Sequence, residues 1–122
     1  MNDAVVVQTQ HIPPSVNACF ANVKGKGRVR TNRYREWAAA AGWDFNGKGT
    51  VPGAFAVTIT IDRQTRHVLS DIDNRCKVVL DLLQTHKIIE NDRYCESATI
   101  RWGEAKGGMT VVVEPYAEAR AA

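Results

Sequence analysis

The stretch AFAVTITID, residues 54–62, alternates between large apolar side chains and small or polar ones. The large apolar residues share one face: Phe55, Val57, Ile59 and Ile61. Thr58 and Thr60 fall on the opposite face. A period of two is typical of a β-strand with one buried face. We therefore expect a strand here that packs one side against the core.

Further elements are predicted on both sides of this strand. Strands are expected at 4–9, 96–105 and 109–116, and helices at 32–43 and 74–85. Gly42 is the expected stop of the first helix. The basic segment 22–30 is expected to be a mobile loop, and 63–72 a polar connector.

The remaining segments complete the expected fold. KGG at 106–108 fits a hairpin turn between the last two strands. Residues 86–92 are expected to form a short strand or turn that pairs within the sheet. This order predicts a single α/β (α+β) domain over 1–116, with helices packed against a mixed sheet. Residues 117–122 are expected to be a frayed tail.

Composition sets the broad class of the protein. The chain has 122 residues, 44% of them hydrophobic and 24% charged, which suits one globular domain. No apolar run in the sequence approaches the roughly 20 residues that span a bilayer. We therefore expect a soluble, cytoplasmic protein. The three cysteines lack CxxC spacing, which argues against a zinc site.

Acidic residues gather where the second helix is expected to begin. With Asp73 as the N-cap and 100° per residue, Lys77, Asp81 and Gln84 fall in the same stripe. Four apolar residues cover the other side: Val78, Val79, Leu82 and Leu83. Two interpretations stay open at this point. The acids either cap the helix and form a surface Lys77–Asp81 pair, or they belong to a site.

A second acidic segment favours the site. IIEND follows the helix, and its pairing in the sheet would return Asp92 toward Asp71 and Asp73. Three carboxylates at close range repel one another unless a hard cation such as Mg²⁺ lies between them. Mg²⁺ with Lys77 nearby is chemistry suited to phosphodiester hydrolysis, because both stabilise charge on the phosphate.

A basic segment, KGKGRVRTNRYR, precedes these acids. Its six cations, without an acid among them, are Lys24, Lys26, Arg28, Arg30, Arg33 and Arg35. Such a block is typical either of phosphate binding or of a solvated, flexible loop. Composition alone leaves both interpretations open.

These motifs together resemble the RusA family of Holliday junction resolvases. DIDNRCKVVLDLL, at 71–83, is similar to the family motif D-x-D-N-x-x-K with a further D four residues after the lysine. IIEND resembles the acidic segment that follows it in the family. PPSVN (13–17), RYREWA (33–38) and KGGMTVVVE (106–114) resemble other family segments in the right order.

The resemblance implies a homodimeric, Mg²⁺-dependent endonuclease, with Mn²⁺ as a substitute ion. Such an enzyme resolves four-way DNA junctions by paired symmetric incisions in recombination and repair, close to the nucleoid of a cell or for a phage. By position, Asp71, Asp73 and Asp92 are the metal-binding catalytic acids. Lys77 is the catalytic lysine, and Asp81 is a supporting residue.

The resemblance also favours a DNA-binding role for much of the basic segment. The residues concerned are Lys24, Lys26, Arg28 and Arg30. Arg63, Arg66 and Arg75 flank the acids. They are expected either to hold the phosphate backbone or to be exposed loop charges. The sequence does not give the dimer interface, for which exposed apolar residues near Trp37, Trp43 and Trp102 are candidates.

The sequence departs from the family pattern at the second acidic site. The family's paired acids are Asn91 and Asp92 here, with Glu90 before the pair, and the family's GVI is KII. Asp92 keeps one carboxylate, and the effect of Asn91 on metal affinity stays open. Three alternatives remain: a nuclease for other branched DNA, a non-catalytic branched-DNA binder, and a structural interaction domain.

Overall fold

Four strands form a mixed sheet in the structure, a computed structural model that describes residues 4–66 and 71–116. The strands are β1 (Val5–Thr9), β4 (Phe55–Asp62), β5 (Cys95–Gly103) and β6 (Met109–Pro115). Their order is β1-β6-β4-β5. β4 runs parallel to β5 and antiparallel to β6, and β1 runs antiparallel to β6. The expected mixed sheet is confirmed.

The alternating face of β4 forms the centre of the core. Its four large apolar side chains, at positions 55, 57, 59 and 61, are at most 1% exposed. Val57 lies opposite Val113, and Ile59 lies opposite Val111, on the neighbouring β6. Apolar residues of helices α2 (Asn32–Phe45) and α3 (Cys76–Thr85) belong to the same core. Sheet and helices are thus held together by one hydrophobic cluster.

Helix α2 is longer than predicted, because Gly42 does not end it. The helix continues to Phe45, which is fully buried. A Cβ atom at position 42 would lie 3.1 Å from Nε2 of His86. Gly42 is therefore explained by the close packing of the His86 ring. Trp37, expected on an exposed surface, is also buried on this helix, and its indole donates to the carbonyl of His11 at 2.8 Å.

The prediction of Asp73 as the α-helix N-cap is wrong. A 3₁₀ turn, Ile72–Arg75, precedes α3, and Asp73 lies within that turn. The turn is closed by the amide of Asn74, which donates to the carbonyl of Asp71 at 3.0 Å. Arg75 is buried and donates to the carbonyl of Pro13, which holds the turn against the PPSVN segment.

The prediction of a mobile basic loop at 22–30 is also wrong. Strands β2 (Phe20–Val23) and β3 (Gly27–Arg30) form an antiparallel hairpin, a separate two-stranded sheet. A short helix, α1 (Val16–Cys19), leads into it. The turn uses Gly25 at φ 82°, a value that glycine adopts without strain. We call residues 20–30 the basic hairpin.

The KGG segment forms a turn, but the strands that it joins are not partners. Lys106 and Gly107 have positive φ, and the amide of Gly108 donates to the carbonyl of Ala105 at 2.8 Å. β4 lies between β5 and β6, so the turn crosses the end of β4. The carboxylate of Asp62 accepts from the amides of Gly107 and Ala105 at 2.7 and 3.1 Å. These bonds, with one from Gln64, lower the pKa of Asp62.

The segment 86–92 pairs outside the four-stranded sheet, contrary to expectation. Ile89 forms an isolated parallel bridge with Val51, and both side chains are buried. A 3₁₀ turn, Asp92–Tyr94, then leads into β5. No helix among the described residues is long and apolar enough to cross a membrane. The predicted tail at 117–122 and part of the connector, 67–70, lie outside the described residues.

Candidate functional site

The first two candidate acids lie at the entrance to α3. Asp71 and Asp73 are both exposed, at the start of and within the 3₁₀ turn Ile72–Arg75. The backbone of Asp71 is left-handed, with φ 54° and ψ 56°. Aspartate tolerates this conformation better than most residues do. The carboxylates of Asp71 and Asp73 are therefore accessible to an ion or a substrate.

The third acid meets the candidate lysine. Nζ of Lys77 forms an ion pair with Oδ2 of Asp92, which lies in the 3₁₀ turn Asp92–Tyr94. The backbone amide of Asp92 also donates to Oε1 of Gln84 at 3.0 Å. Lys77 and Gln84 belong to the predicted polar stripe of α3. The stripe thus holds the second acidic segment against the helix that carries the lysine.

The donor type suits Mg²⁺, but the described residues do not contain a complete set of ligands. In residues 4–66 and 71–116, no three Asp, Glu, His or Cys side chains are grouped closely enough to hold a metal ion. Asp92 is paired with Lys77 instead. Exposed carboxylates are the ligands that Mg²⁺ prefers. Binding of an ion would require Asp92 to approach Asp71 and Asp73 and to loosen its bond to Lys77.

The flanking arginines differ in accessibility. Arg75 is only 8% exposed, and burial lowers its pKa. Its position favours a structural role over the predicted DNA contact. Arg63 and Arg66 are exposed, and Arg63 donates to the carbonyl of Trp102 at 3.4 Å.

The basic hairpin presents exposed cations at the turn and along β3: Lys24, Lys26, Arg28 and Arg30. The Arg28 guanidinium lies over the ring of Phe20, 4.8 Å from its centroid. The Arg30 guanidinium lies 5.1 Å from the centroid of Tyr34 on α2. Guanidinium–ring contacts of this kind reduce the freedom of long side chains. These two arginines therefore have ring contacts that hold their side chains against the domain.

Asp81 connects the basic hairpin to both helices. Its Oδ2 accepts a hydrogen bond from the Tyr34 hydroxyl at 2.5 Å. Nη2 of Arg30 lies 3.0 Å from Oδ1 and 2.8 Å from Oδ2. Tyr34 is 3% exposed, and burial together with the Asp81 carboxylate raises its pKa. Asp81 lies one helical turn beyond Lys77 on α3.

Sequence reasoning missed Tyr34 as part of this arrangement. Tyr34, Trp37 and Ala41 recur at helical spacing, and all three are buried. That period was a signal that Tyr34 lies on the buried face of α2. A buried hydroxyl requires a partner, and a carboxylate on a neighbouring element is a natural one.

Neither a scan of the chain against models of known protein families nor a comparison with curated proteins returns a match. The family is therefore not established by these comparisons. The resemblance to the RusA family remains a hypothesis that rests on the sequence motifs.

Proposed function

We propose that this chain is a Mg²⁺-dependent endodeoxyribonuclease that resolves four-way DNA junctions. One observation carries the proposal: the Lys77–Asp92 pair unites the two acidic segments on a helix that also contacts the basic hairpin. Acids, a lysine and ordered arginines on neighbouring elements suit a phosphodiester substrate better than a neutral one.

Asp71, Asp73 and Asp92 are the residues that would hold Mg²⁺. The ion, when bound, would stabilise negative charge on the phosphate and lower the pKa of water. The side chain of Asp92 is 31% exposed and lies on a short turn, so it can change partner with little disturbance of the core. Asp92 would give up its ion pair with Lys77 in exchange for a bond to Mg²⁺.

Lys77 then has a phosphate as its alternative partner. Its side chain is 57% exposed, so its ammonium group can turn from Asp92 toward an incoming phosphate oxygen. A lysine ammonium is a compact charge with three donors, which suits the charge that develops during phosphoryl transfer. The roles of Lys77 and Asp92 are coupled in this scheme: when their ion pair breaks, Asp92 becomes available to the metal ion and Lys77 to the phosphate.

The basic hairpin would contact the DNA backbone. Backbone contacts position a protein on DNA without reading its sequence. A homodimer would present two identical sites to the two symmetric strands of a junction. Such an enzyme would act on DNA in the cytoplasm.

The test is cleavage of a synthetic four-way junction by the wild type and by Asp73→Asn. We expect loss of cleavage by about a hundredfold or more with binding retained, because a metal contributes several kcal/mol to the transition state. Calorimetry with Mn²⁺ should show weaker ion binding by the same variant. Glu114→Gln, an equal charge change on an exposed strand position, is the control. Full cleavage by Asp73→Asn contradicts the proposal.

Two alternatives are separated by the same assays. The absence of a three-ligand group in the described part of the chain favours a non-catalytic branched-DNA binder as the second candidate. That candidate predicts binding unaffected by Mg²⁺ and no cleavage with any divalent ion. Comparable cleavage rates on junctions, flaps and plain duplex would instead indicate a nuclease for other branched DNA.

A further inference from the structure

A small number of contacts anchor the basic hairpin to the rest of the domain. A hairpin of two strands has little stability of its own in water. At its base, the amide of Thr31 donates to the carbonyl of Cys19 at 2.8 Å, and the Phe20 ring stacks on Tyr34 with centroids 5.9 Å apart. At the same end of the hairpin, where Arg30 pairs with Phe20, the bonds of Arg30 to Asp81 tie β3 to α3.

The Asp81 carboxylate is engaged from two sides. Tyr34, which is buried, donates to it from α2, and Arg30 donates to it from β3. The bond from Tyr34 is partly buried, whereas the bond from Arg30 lies at the surface. A carboxylate held by a fixed hydroxyl is itself fixed, and it then fixes the guanidinium that it binds.

Arg30 keeps binding capacity beyond Asp81. A guanidinium has five N–H donors, and the bonds to Asp81 are made by Nη2. Its guanidinium carbon lies over the Tyr34 ring, and 47% of the side chain is exposed. The remaining donors at the exposed edge can meet a phosphate oxygen while the bond to Asp81 persists. Asp81 therefore orients Arg30 without blocking it.

We propose that Asp81 is a positioning residue that fixes Arg30, and with it the basic hairpin, as a rigid phosphate-contact surface beside Lys77. The hairpin's use for DNA rests on the proposed function above. The anchoring itself does not, because it is a property of the free chain. The surface suits the phosphodiester backbone of DNA, since planar guanidinium groups match phosphate oxygens.

The sign of one change in affinity tests the proposal. Asp81→Asn removes a negative charge, so general electrostatics predicts tighter DNA binding. Loss of positioning predicts weaker binding, and we expect roughly fivefold weaker binding of a junction without divalent ions, the size of a typical coupling between contacting residues. Glu114→Gln removes the same charge away from the hairpin and should not weaken binding. Tighter binding by Asp81→Asn overturns the proposal.

A double-mutant cycle shows whether Asp81 acts through Arg30. In an Arg30→Gln background, Asp81→Asn should change the affinity less than twofold, because the positioned group is already gone. Arg30→Lys keeps the charge but cannot stack and bind in the same way, so it should bind more weakly than the wild type. Equal effects of Asp81→Asn in both backgrounds contradict positioning through Arg30. All binding is measured at a temperature where every variant is folded.

Hydrogen exchange tests the anchoring without DNA. The β2–β3 amides should exchange several-fold faster in Asp81→Asn, while amides of β4 keep their wild-type rates. Unchanged exchange in the hairpin overturns the proposal whether or not DNA binds. If the wild type binds no branched DNA, the proposed function fails. In that case the exchange rates of the hairpin amides in Asp81→Asn are the test of whether Asp81 anchors the hairpin.

Discussion

Two contacts on the polar stripe of α3, one helical turn apart, differ in construction. Lys77 pairs with Asp92 across an open surface, and the two side chains are 57% and 31% exposed. Asp81 binds Arg30 in a similar way, but it also accepts from Tyr34, which is 3% exposed. The buried hydroxyl is the difference between the two sites.

The difference indicates which contact can be exchanged. An exposed ion pair contributes about 0–1 kcal/mol, so Lys77 and Asp92 can separate at little cost. Breaking the Asp81 contact would leave the buried Tyr34 hydroxyl without its acceptor, which costs roughly 1–3 kcal/mol. We therefore interpret the Lys77 end as the reacting part and the Asp81 end as the scaffold. Each prediction below tests one side of this contrast.

The largest effect is expected for Lys77→Met. Cleavage of a junction should fall about a hundredfold, the typical effect of one lost transition-state contact to a developing charge. The free energy of unfolding should change by less than about 1 kcal/mol, because the pair is exposed. Lys48→Met, on an exposed loop, is the matched control and should cleave normally. A large loss of stability with Lys77→Met would show that the Lys77–Asp92 pair has a structural role instead.

The next effect is on stability at the other end of the stripe. Asp81→Ala should lower the free energy of unfolding by about 2 kcal/mol, because the buried Tyr34 hydroxyl loses its acceptor and Arg30 loses its partner. Asp92→Ala should cost less than about 1 kcal/mol. Urea denaturation measures both. If Asp81→Ala and Asp92→Ala lower the free energy of unfolding equally, the proposed difference between the two contacts is wrong. In a Tyr34→Phe background, Asp81→Ala should cost less than it does alone.

A third effect appears in alkaline solution. Burial, and then the bond to Asp81, raise the pKa of Tyr34, so the folded state holds this proton more tightly than the unfolded chain does. The stabilisation is complete below about pH 10, the pKa of an unfolded tyrosine, and is lost as the pH rises above it. Tyr34→Phe should remove this part of the decline. An identical alkaline decline in Tyr34→Phe would show that another group causes it.

The sequence predicted the parts of the molecule that follow a local period. The alternation of β4 gave its buried face, and the stripe of α3 placed Lys77 and Asp81 together. The sequence also predicted that Asp92 returns toward Asp71 and Asp73. In the structure Asp92 pairs with Lys77 instead, and no three metal-ligating side chains are grouped together in the described part of the chain. The assignment of a metal to these acids stays a prediction.

The parts that were missed depend on contacts between distant segments. The basic hairpin alternates cations instead of apolar residues, so its period is that of a strand without a buried face. The partner of Asp81 is Tyr34, 47 positions earlier, and no local pattern connects the two. The pairing of β5 and β6 was predicted wrongly because β4, far earlier in the chain, inserts between them.

The smallest effect separates the turn of the basic hairpin from its anchored strand. Lys24→Gln and Arg30→Gln each remove one cation, so each should reduce the slope of log affinity against log salt by about 0.9 if its side chain contacts a phosphate.

Lys24 lies exposed in the turn, and its contribution should disappear at high salt because it is electrostatic. Arg30 is fixed by Asp81 and Tyr34, so its directed hydrogen bonds should still contribute there. At high salt, Arg30→Gln should therefore bind a junction more weakly than Lys24→Gln does. If the two variants bind equally under those conditions, Arg30 acts only as a surface charge. Its anchoring by Asp81 then gives DNA binding no advantage over a cation of the turn.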